Sequence, residues 1–225
     1  MILTLIVVFS LLFMLTHIGL SHGEIRQGLV DKLGQWPFRG LYSLVSFGTL
    51  GPAAVIWWQN RHLGPVLWEL PFWPERILAA ALMLFALFIF FQSLATPSPS
   101  SMAPAKDTVR GVLRITRHPM NMALAMWGLA HLLANGTLGD VAFFGSFVVV
   151  GVLGAYHMDA RLKRTKGEGF VQFCRETSVL PFGAILTGRN RLVLSELAFP
   201  LALIAVAVFV TLTIFHSRLF GGELF

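Results

Sequence analysis

The residue of greatest chemical interest is His131, twelve positions into an apolar run that opens at Pro119 and carries no Asp, Glu, Lys or Arg beside it. An ionisable ring is costly at that depth in hydrocarbon. It is therefore expected to face the protein interior, uncharged and partnered, with a lone pair available for function. The alternative is a buried histidine held only by a structural network. His118 directly precedes Pro119, which suits a first helical turn, and the helix mouth together with Arg114 and Arg117 disfavours imidazolium there. A neutral His118 could act as base, hydrogen-bond partner or ligand, or simply cap the helix. The 13 residues between His118 and His131 correspond to about 20 Å of rise and about 140° of rotation, so the two cannot grip one metal ion. Met120, Leu124, Trp127 and Asn135 share the face of His131, and Asn135 is expected to orient one imidazole nitrogen while the other stays free.

His17, on the first apolar run, shares its face with Ser10, Phe13 and Ser21. Helix-to-helix hydrogen bonding explains that stripe as well as ligation does. Helical rise sets His17 about 13 Å from the level of His131. His157 closes the fifth run beside Asp159, where a local contact or an interfacial anchor is expected. His22, His62 and His216 lie in or beside loops and receive no role.

These residues need a membrane scaffold to position them. The 225 residues are 56% hydrophobic and 12% charged, with a mean hydropathy of +0.72, outside the range of a soluble domain. Six runs approach the ~20 apolar residues that cross a bilayer: 2–20, 40–58, 77–94, 119–135, 138–157 and 194–216. The expected fold is all-α, a polytopic membrane helix bundle forming a single domain over 1–225. The fourth and fifth runs should form a tight antiparallel pair around Gly136 and Thr137. Of the 17 basic residues, 14 fall in the loops 21–39, 95–118 and 158–193. That asymmetry is the positive-inside pattern of six transmembrane helices with both termini on the non-cytoplasmic side. It also explains the net charge of +6 without nucleic acid as a partner. A multi-pass protein of a bacterial inner membrane is expected. The first run has no basic residue ahead of it and no small-residue cleavage site, so it is expected to remain as a helix. Cys174 is the one cysteine, which excludes an internal disulfide and cysteine-rich metal sites.

Three loops carry further expectations. The Ser/Pro-rich stretch 96–104 reads as a flexible cytoplasmic linker. The outer loop 57–74 holds Trp57, Trp58, Trp68, Phe72 and Trp73 and reads as an aromatic anchor at headgroup level, with a lid over a cavity as the alternative. The segment 159–186 mixes apolar and basic residues and predicts an interfacial helix that breaks at Pro181 and Gly183, its basic face toward anionic lipid.

Three motifs carry a resemblance: LTHIGLSH around His17, RGLYSLVS at 39–46, and above all RHPM at 117–120 followed by WGLAHLLANG at 127–136. Together they resemble the NnrU family, which includes the plant and cyanobacterial 15-cis-zeta-carotene isomerases. In the isomerase branch the resemblance implies a b-type haem with two axial histidines at the positions of His17 and His131. Ligand release on reduction would then expose iron to a polyene double bond. His118, Trp127 and Asn135 would belong to the same cofactor site. The bacterial branch is associated with redox or nitrogen-oxide (denitrification-linked) physiology, with a hydrophobic small molecule or a membrane redox partner. A haem-holding sensor or assembly protein without enzymatic activity is a further reading. Haem also suits the residue types, because imidazole binds iron and Phe, Met and Trp can line a macrocycle site. Met120, Met122 and Met126 are conceivable axial alternatives, with core packing the simpler role. The chain departs from many relatives at Ile18, where a Ser often follows the histidine, and at Thr137, a place often acidic.

The same RHP at a helix mouth, with the later basic segment ending in Leu180, Pro181 and Phe182, is also similar to isoprenylcysteine and phospholipid methyltransferases. That resemblance implies S-adenosylmethionine surrounded by Arg117, His118, Glu168 and Arg175. Asp159 stands alone where that family has an acidic pair, and Phe170 and Phe173 stand where it offers a tyrosine.

Overall fold

The computed structural model describes residues 1–70, 72–100 and 108–221. These form α1 (Ile2–Ser21), α2 (Gly23–Leu33), α3 (Gln35–Gln59), α4 (Phe72–Ala95), α5 (Pro119–Ala134), α6 (Leu138–Lys166), α7 (Glu168–Glu176), α8 (Gly183–Leu186) and α9 (Phe199–Phe220). Extended pairing among the described residues is limited to one antiparallel bridge, Val66 to Thr137. Five helices, α1, α3, α4, α6 and α9, are long and apolar enough to cross a bilayer, so the chain is an integral membrane protein. α5 has 16 residues, about 24 Å of rise against a hydrocarbon core of ~30 Å. It runs between the same two ends as its neighbours α4 and α6.

Helix boundaries follow local chemistry. Pro119 opens α5, and Thr137 caps α6 by accepting from the Asp140 backbone N–H at 3.3 Å, as N-cap hydroxyls do. α6 runs past the expected stop at 157 as far as Lys166, because the helix-forming Ala, Leu, Lys and Arg residues continue it. It ends at Gly167, whose φ of +65° suits glycine. α9 starts at Phe199, later than the expected 194, because residues 194–196 form a 3₁₀ turn held by Glu196. That carboxylate accepts from Arg114 Nε and Nη2 at 2.8 and 2.9 Å and from the Gly111 amide at 2.7 Å. Hydrogen bonds from Arg114, then from Gly111, hold its pKa down at about 2. The loop 21–39 contains an unanticipated helix, α2, whose polar sequence GEIRQGLVDKL carries no long apolar run to announce it.

The helices pack as a row in the order α3, α1, α6, α5, α4, α9. The two outermost members meet at one end, where Trp58 lies edge-on to Phe220 at 5.9 Å. One apolar core, around Ala86, Ile89, Met122, Met126 and Ala155, joins α4, α5 and α6. Another, around Ile6, Phe13, Ala53, Phe143, Phe144 and Phe147, joins α1, α3 and α6. α5 and α6 approach closely because Gly128 and Gly151 present no side chain. A Cβ on either would sit 2.7 or 2.6 Å from a backbone carbonyl of the other helix.

One loop reading needs correction. Thr96 and Ser98 are buried, and Ser98 Oγ donates to the Arg117 carbonyl at 2.6 Å. The first part of the 96–104 stretch is therefore packed structure and no flexible linker; residues 101–104 lie outside the described residues. In the 57–74 loop, Trp57 and Trp68 turn inward while Trp58 and Trp73 remain exposed. Pro71 and the Phe72 side chain lie outside the described residues. Leu67 N–H donates to Gly136 O, Leu138 N–H to Pro65 O and Gly139 N–H to Leu63 O, so the loop covers the α5–α6 turn. Trp58 and Trp73 keep the exposure expected of an aromatic anchor, while Trp57 and Trp68 tie the loop to the helices beneath it.

Candidate functional site

His131 sits in the last turns of α5, where the helical carbonyl one turn earlier fixes its ring. Nδ1 donates to Trp127 O at 2.8 Å. The proton is thereby held on Nδ1, and the lone pair remains on Nε2, the tautomer a metal ligand needs. The imidazole lies nearly flat on Phe144, with centroids 4.6 Å apart and planes at 19°, and against Trp127 at 4.6 Å. Phe147 meets the other side of Trp127 edge-on at 4.9 Å. The ring is thus part-buried in an aromatic cradle with one nitrogen uncommitted among the described residues.

Asn135 does not orient the imidazole. It leaves the helix in an extended conformation, and its side chain donates to the His131 backbone carbonyl at 2.8 Å. It caps the helix end, while Trp127 performs the orienting role expected of it.

His17 is also part-buried, with Nδ1 3.1 Å from Ser46 Oγ and its ring 4.8 Å from Tyr42 and 5.2 Å from Phe13. The polar stripe on α1 therefore does join α1 to α3 at His17. Ser10 Oγ on the same stripe is buried with no hydrogen-bond partner among the described residues. The structure keeps His17 and His131 apart. Phe13 meets Phe147 at 5.9 Å, so Phe13, Phe147 and Trp127 stand in sequence between the two histidines. α1 and α6 run parallel, and His17 lies one turn beyond Phe13, level with about Gly151. His131 is level with Phe144, which leaves roughly 10 Å along the helix axes. Two imidazoles on one metal bring their nitrogens within about 4 Å, twice a metal–imidazole bond of ~2 Å.

His118 belongs to a different cluster, at the end rich in Lys and Arg. It is 1% exposed, with Nε2 2.7 Å from Asp159 Oδ1 and Nδ1 3.0 Å from Ser100 Oγ. Both ring nitrogens are engaged, so it holds no lone pair for a cofactor. Asp159 also takes Arg117 side-on, with Nε at 3.0 and 2.9 Å from its two oxygens and Nη2 on Oδ2. Arg117 Nη1 donates to Thr177 O at 3.1 Å. The RHP motif therefore clamps the mouth of α5 to α6 and to the 96–100 stretch. His157 makes no bond to Asp159; its Nδ1 is buried without a partner among the described residues, and its ring meets His22 edge-on at 5.6 Å.

Arg117 also lines a cleft of about 570 Å³ at this end, together with Tyr156, Lys163, Arg175, Leu180 and Arg189 among others. Neither His118 nor Glu168 reaches it. S-adenosylmethionine carries a sulfonium and an ammonium against one carboxylate, so a wall of lysine and arginine opposes it. The methyltransferase arrangement of Arg117, His118, Glu168 and Arg175 is not assembled.

At the opposite end the structure reveals a polar centre that the sequence reading missed. Asp140 is fully buried and accepts from Trp57 Nε1 at 2.8 Å, from Thr137 Oγ1 at 2.6 Å and from His62 Nδ1 at 3.1 Å. An acid two residues into an apolar run was the available signal. Met122 and Met126 are buried in the α4–α6 core, and Met120 Sδ accepts from Ser93 Oγ at 3.0 Å, so the methionines pack as expected.

Residues 4–223 match the protein family described as NnrU protein. The chain is 30% identical over 184 residues to the 15-cis-zeta-carotene isomerase, chloroplastic, of Arabidopsis thaliana, covering 80% of this chain and 50% of that protein. It is 30% identical over 192 residues to the protein of the same description from Zea mays, covering 81% and 50% respectively. The chain thus spans about half the length of the curated relatives it matches. No solved structure matches it.

Proposed function

Since the chain belongs to the NnrU family, we propose that it is a membrane-embedded isomerase that converts a cis double bond of an apolar polyene, such as a 15-cis-zeta-carotene, to trans. The observation that carries this reading is the His131 ring: a part-buried imidazole near the end of α5, tautomer-fixed by the Trp127 carbonyl, stacked on Phe144 and with Nε2 uncommitted among the described residues. Flat aromatic walls suit a conjugated chain, and the family relatives carry the isomerase description in their names. A membrane redox or nitrogen-oxide role is the broader form of the same proposal.

A b-type haem would suit His131, because a free lone pair and aromatic surroundings are what an imidazole ligand to iron requires. It does not fit His17 and His131 together in this arrangement, since three rings and about 10 Å of helical rise separate them. When bound, haem would supply a redox-active iron beside the polyene. His131 would hold it, Trp127 and Phe144 would wall it, and His118 would contribute only by fixing the start of α5. We further propose six membrane crossings, with α5 as the short fourth one, in a bacterial inner membrane. The basic end then faces the cytoplasm and both termini lie outside.

The test is the purified full-length protein, supplied with haem and then with a 15-cis polyene. The expected result is a histidine-ligated Soret band and production of the trans isomer, both lost in His131→Ala. The His17→Ala spectrum then shows whether a second imidazole takes part. A colourless protein that still isomerises refutes haem dependence, and an intact spectrum in His131→Ala refutes the site.

A further inference from the structure

The cleft at the basic end belongs neither to the His131 cradle nor to the RHP clamp, although Arg117 borders both the clamp and the cleft. Its cations are not neutralised locally. Lys163 and Arg175 have exposed side chains with no hydrogen-bond or ion-pair partner among the described residues. Arg189 donates only to neutral acceptors: Thr187 Oγ1 at 2.9 Å, Arg175 O at 2.8 Å and Thr177 O at 3.1 Å. Of the four basic residues in the lining, only Arg117 faces a carboxylate, that of Asp159. Three positive charges thus converge on one concavity that no acidic side chain lines.

The rest of the wall mixes the hydroxyl-bearing Tyr156, Thr177, Ser178 and Thr187 with apolar side chains. Val171, Val179 and Leu180 line it, and Leu180 is 56% exposed at its edge, with Leu186 nearby at 83%. α7, beneath the cleft, turns Phe170 and Phe173 inward and leaves its polar face outward, the habit of a helix lying at a membrane surface. A concentrated positive charge with adjoining exposed leucines matches one ligand class: an anionic phosphate group attached to an acyl chain. Arginine and lysine bind phosphate oxygens through charge-assisted hydrogen bonds. Basic pockets beside membrane helices are suited to acidic headgroups.

We propose that this cleft is a specific site for the phosphate headgroup of an anionic phospholipid, held by Lys163, Arg175 and Arg189 with its acyl chain against Leu180. Binding there would brace Arg117, and with it the junction of α5, α6 and the turn at 177–179, without touching the His131 cradle.

The test is native mass spectrometry of the full-length protein in detergent, titrated with phosphatidylglycerol or phosphatidylcholine. Phosphatidylglycerol should bind and phosphatidylcholine should not. Lys163→Gln/Arg175→Gln should weaken phosphatidylglycerol binding by about thirtyfold, the order expected for two cations near an acidic headgroup. Both side chains are exposed, so circular dichroism and the thermal midpoint should match the parent and confirm folding. Lys32→Gln/Arg191→Gln removes the same charge from exposed positions outside the cleft and should change binding by less than about threefold. Equal weakening in both double variants would overturn the site, because the attraction would then be diffuse. Equal binding of phosphatidylcholine would overturn the charge argument. Competition by glycerol phosphate at the same concentration as the lipid would overturn the lipid assignment, because the acyl chain would then contribute nothing.

Discussion

Removing the Asp159 carboxylate should be among the most damaging single changes to this fold. Its side chain is 6% exposed and that of Arg117 is 11% exposed, so the pair is largely shielded from water. In Asp159→Ala the guanidinium loses both carboxylate oxygens and keeps one neutral acceptor, Thr177 O, while His118 loses its partner on Nε2. Stripping one member from a buried ion pair costs about 3–5 kcal/mol, equivalent to roughly a hundredfold to a few thousandfold in the folding equilibrium. The double variant Arg117→Met/Asp159→Leu removes both charges and should lie closer to the parent than Asp159→Ala does, because no uncompensated ion remains. The assay is equilibrium unfolding of the detergent-solubilised protein by SDS titration, for the parent, both single replacements and the double. A loss below about 1 kcal/mol for Asp159→Ala, or single-variant losses that simply add in the double, would refute the buried, coupled clamp.

Gly151→Ala places a Cβ 2.6 Å from Asn121 O and 2.9 Å from Ala125 Cβ, so α5 and α6 must separate. A destabilisation of about 1–3 kcal/mol is expected in the same titration, and Gly145→Ala, where nothing lies within 4 Å, is the neutral control. Glu196 has a folded pKa of about 2 against an ordinary value of 4.5. Its contribution to stability is therefore fully present above pH 4.5 and is lost as the pH falls toward 2. The acid sensitivity of the thermal midpoint in that window should shrink in Glu196→Gln; an unchanged pH profile would show that the Arg114 contact does not matter to folding.

The long helices were legible because their physics is local. Runs such as 2–20 and 77–94 are apolar enough to declare themselves, and Pro119 and Thr137 mark helix starts by their own backbone or side-chain chemistry. α2 escaped notice because a short polar helix carries no apolar period of its own. His131 is partnered as expected, but through the Trp127 carbonyl and not through Asn135. Asn135 follows it by one turn, yet the chain becomes extended there and carries the amide toward the backbone. His118 looked available because Ser100 and Asp159 lie 18 and 41 residues away from it. For the same reason Asp140 went unread, its partners Trp57 and His62 lying 83 and 78 residues away. Non-local pairing of single polar groups leaves no periodic trace in a sequence.

The loop that covers the α5–α6 turn bears on traffic through the protein. Its backbone is stitched to Gly136, Leu138 and Gly139, and the Trp68 indole donates to the Leu132 carbonyl at 3.0 Å. An oily solute coming from the aqueous phase at that end would have to unpick the whole seam. A solute already dissolved among acyl chains would not have to cross this seam.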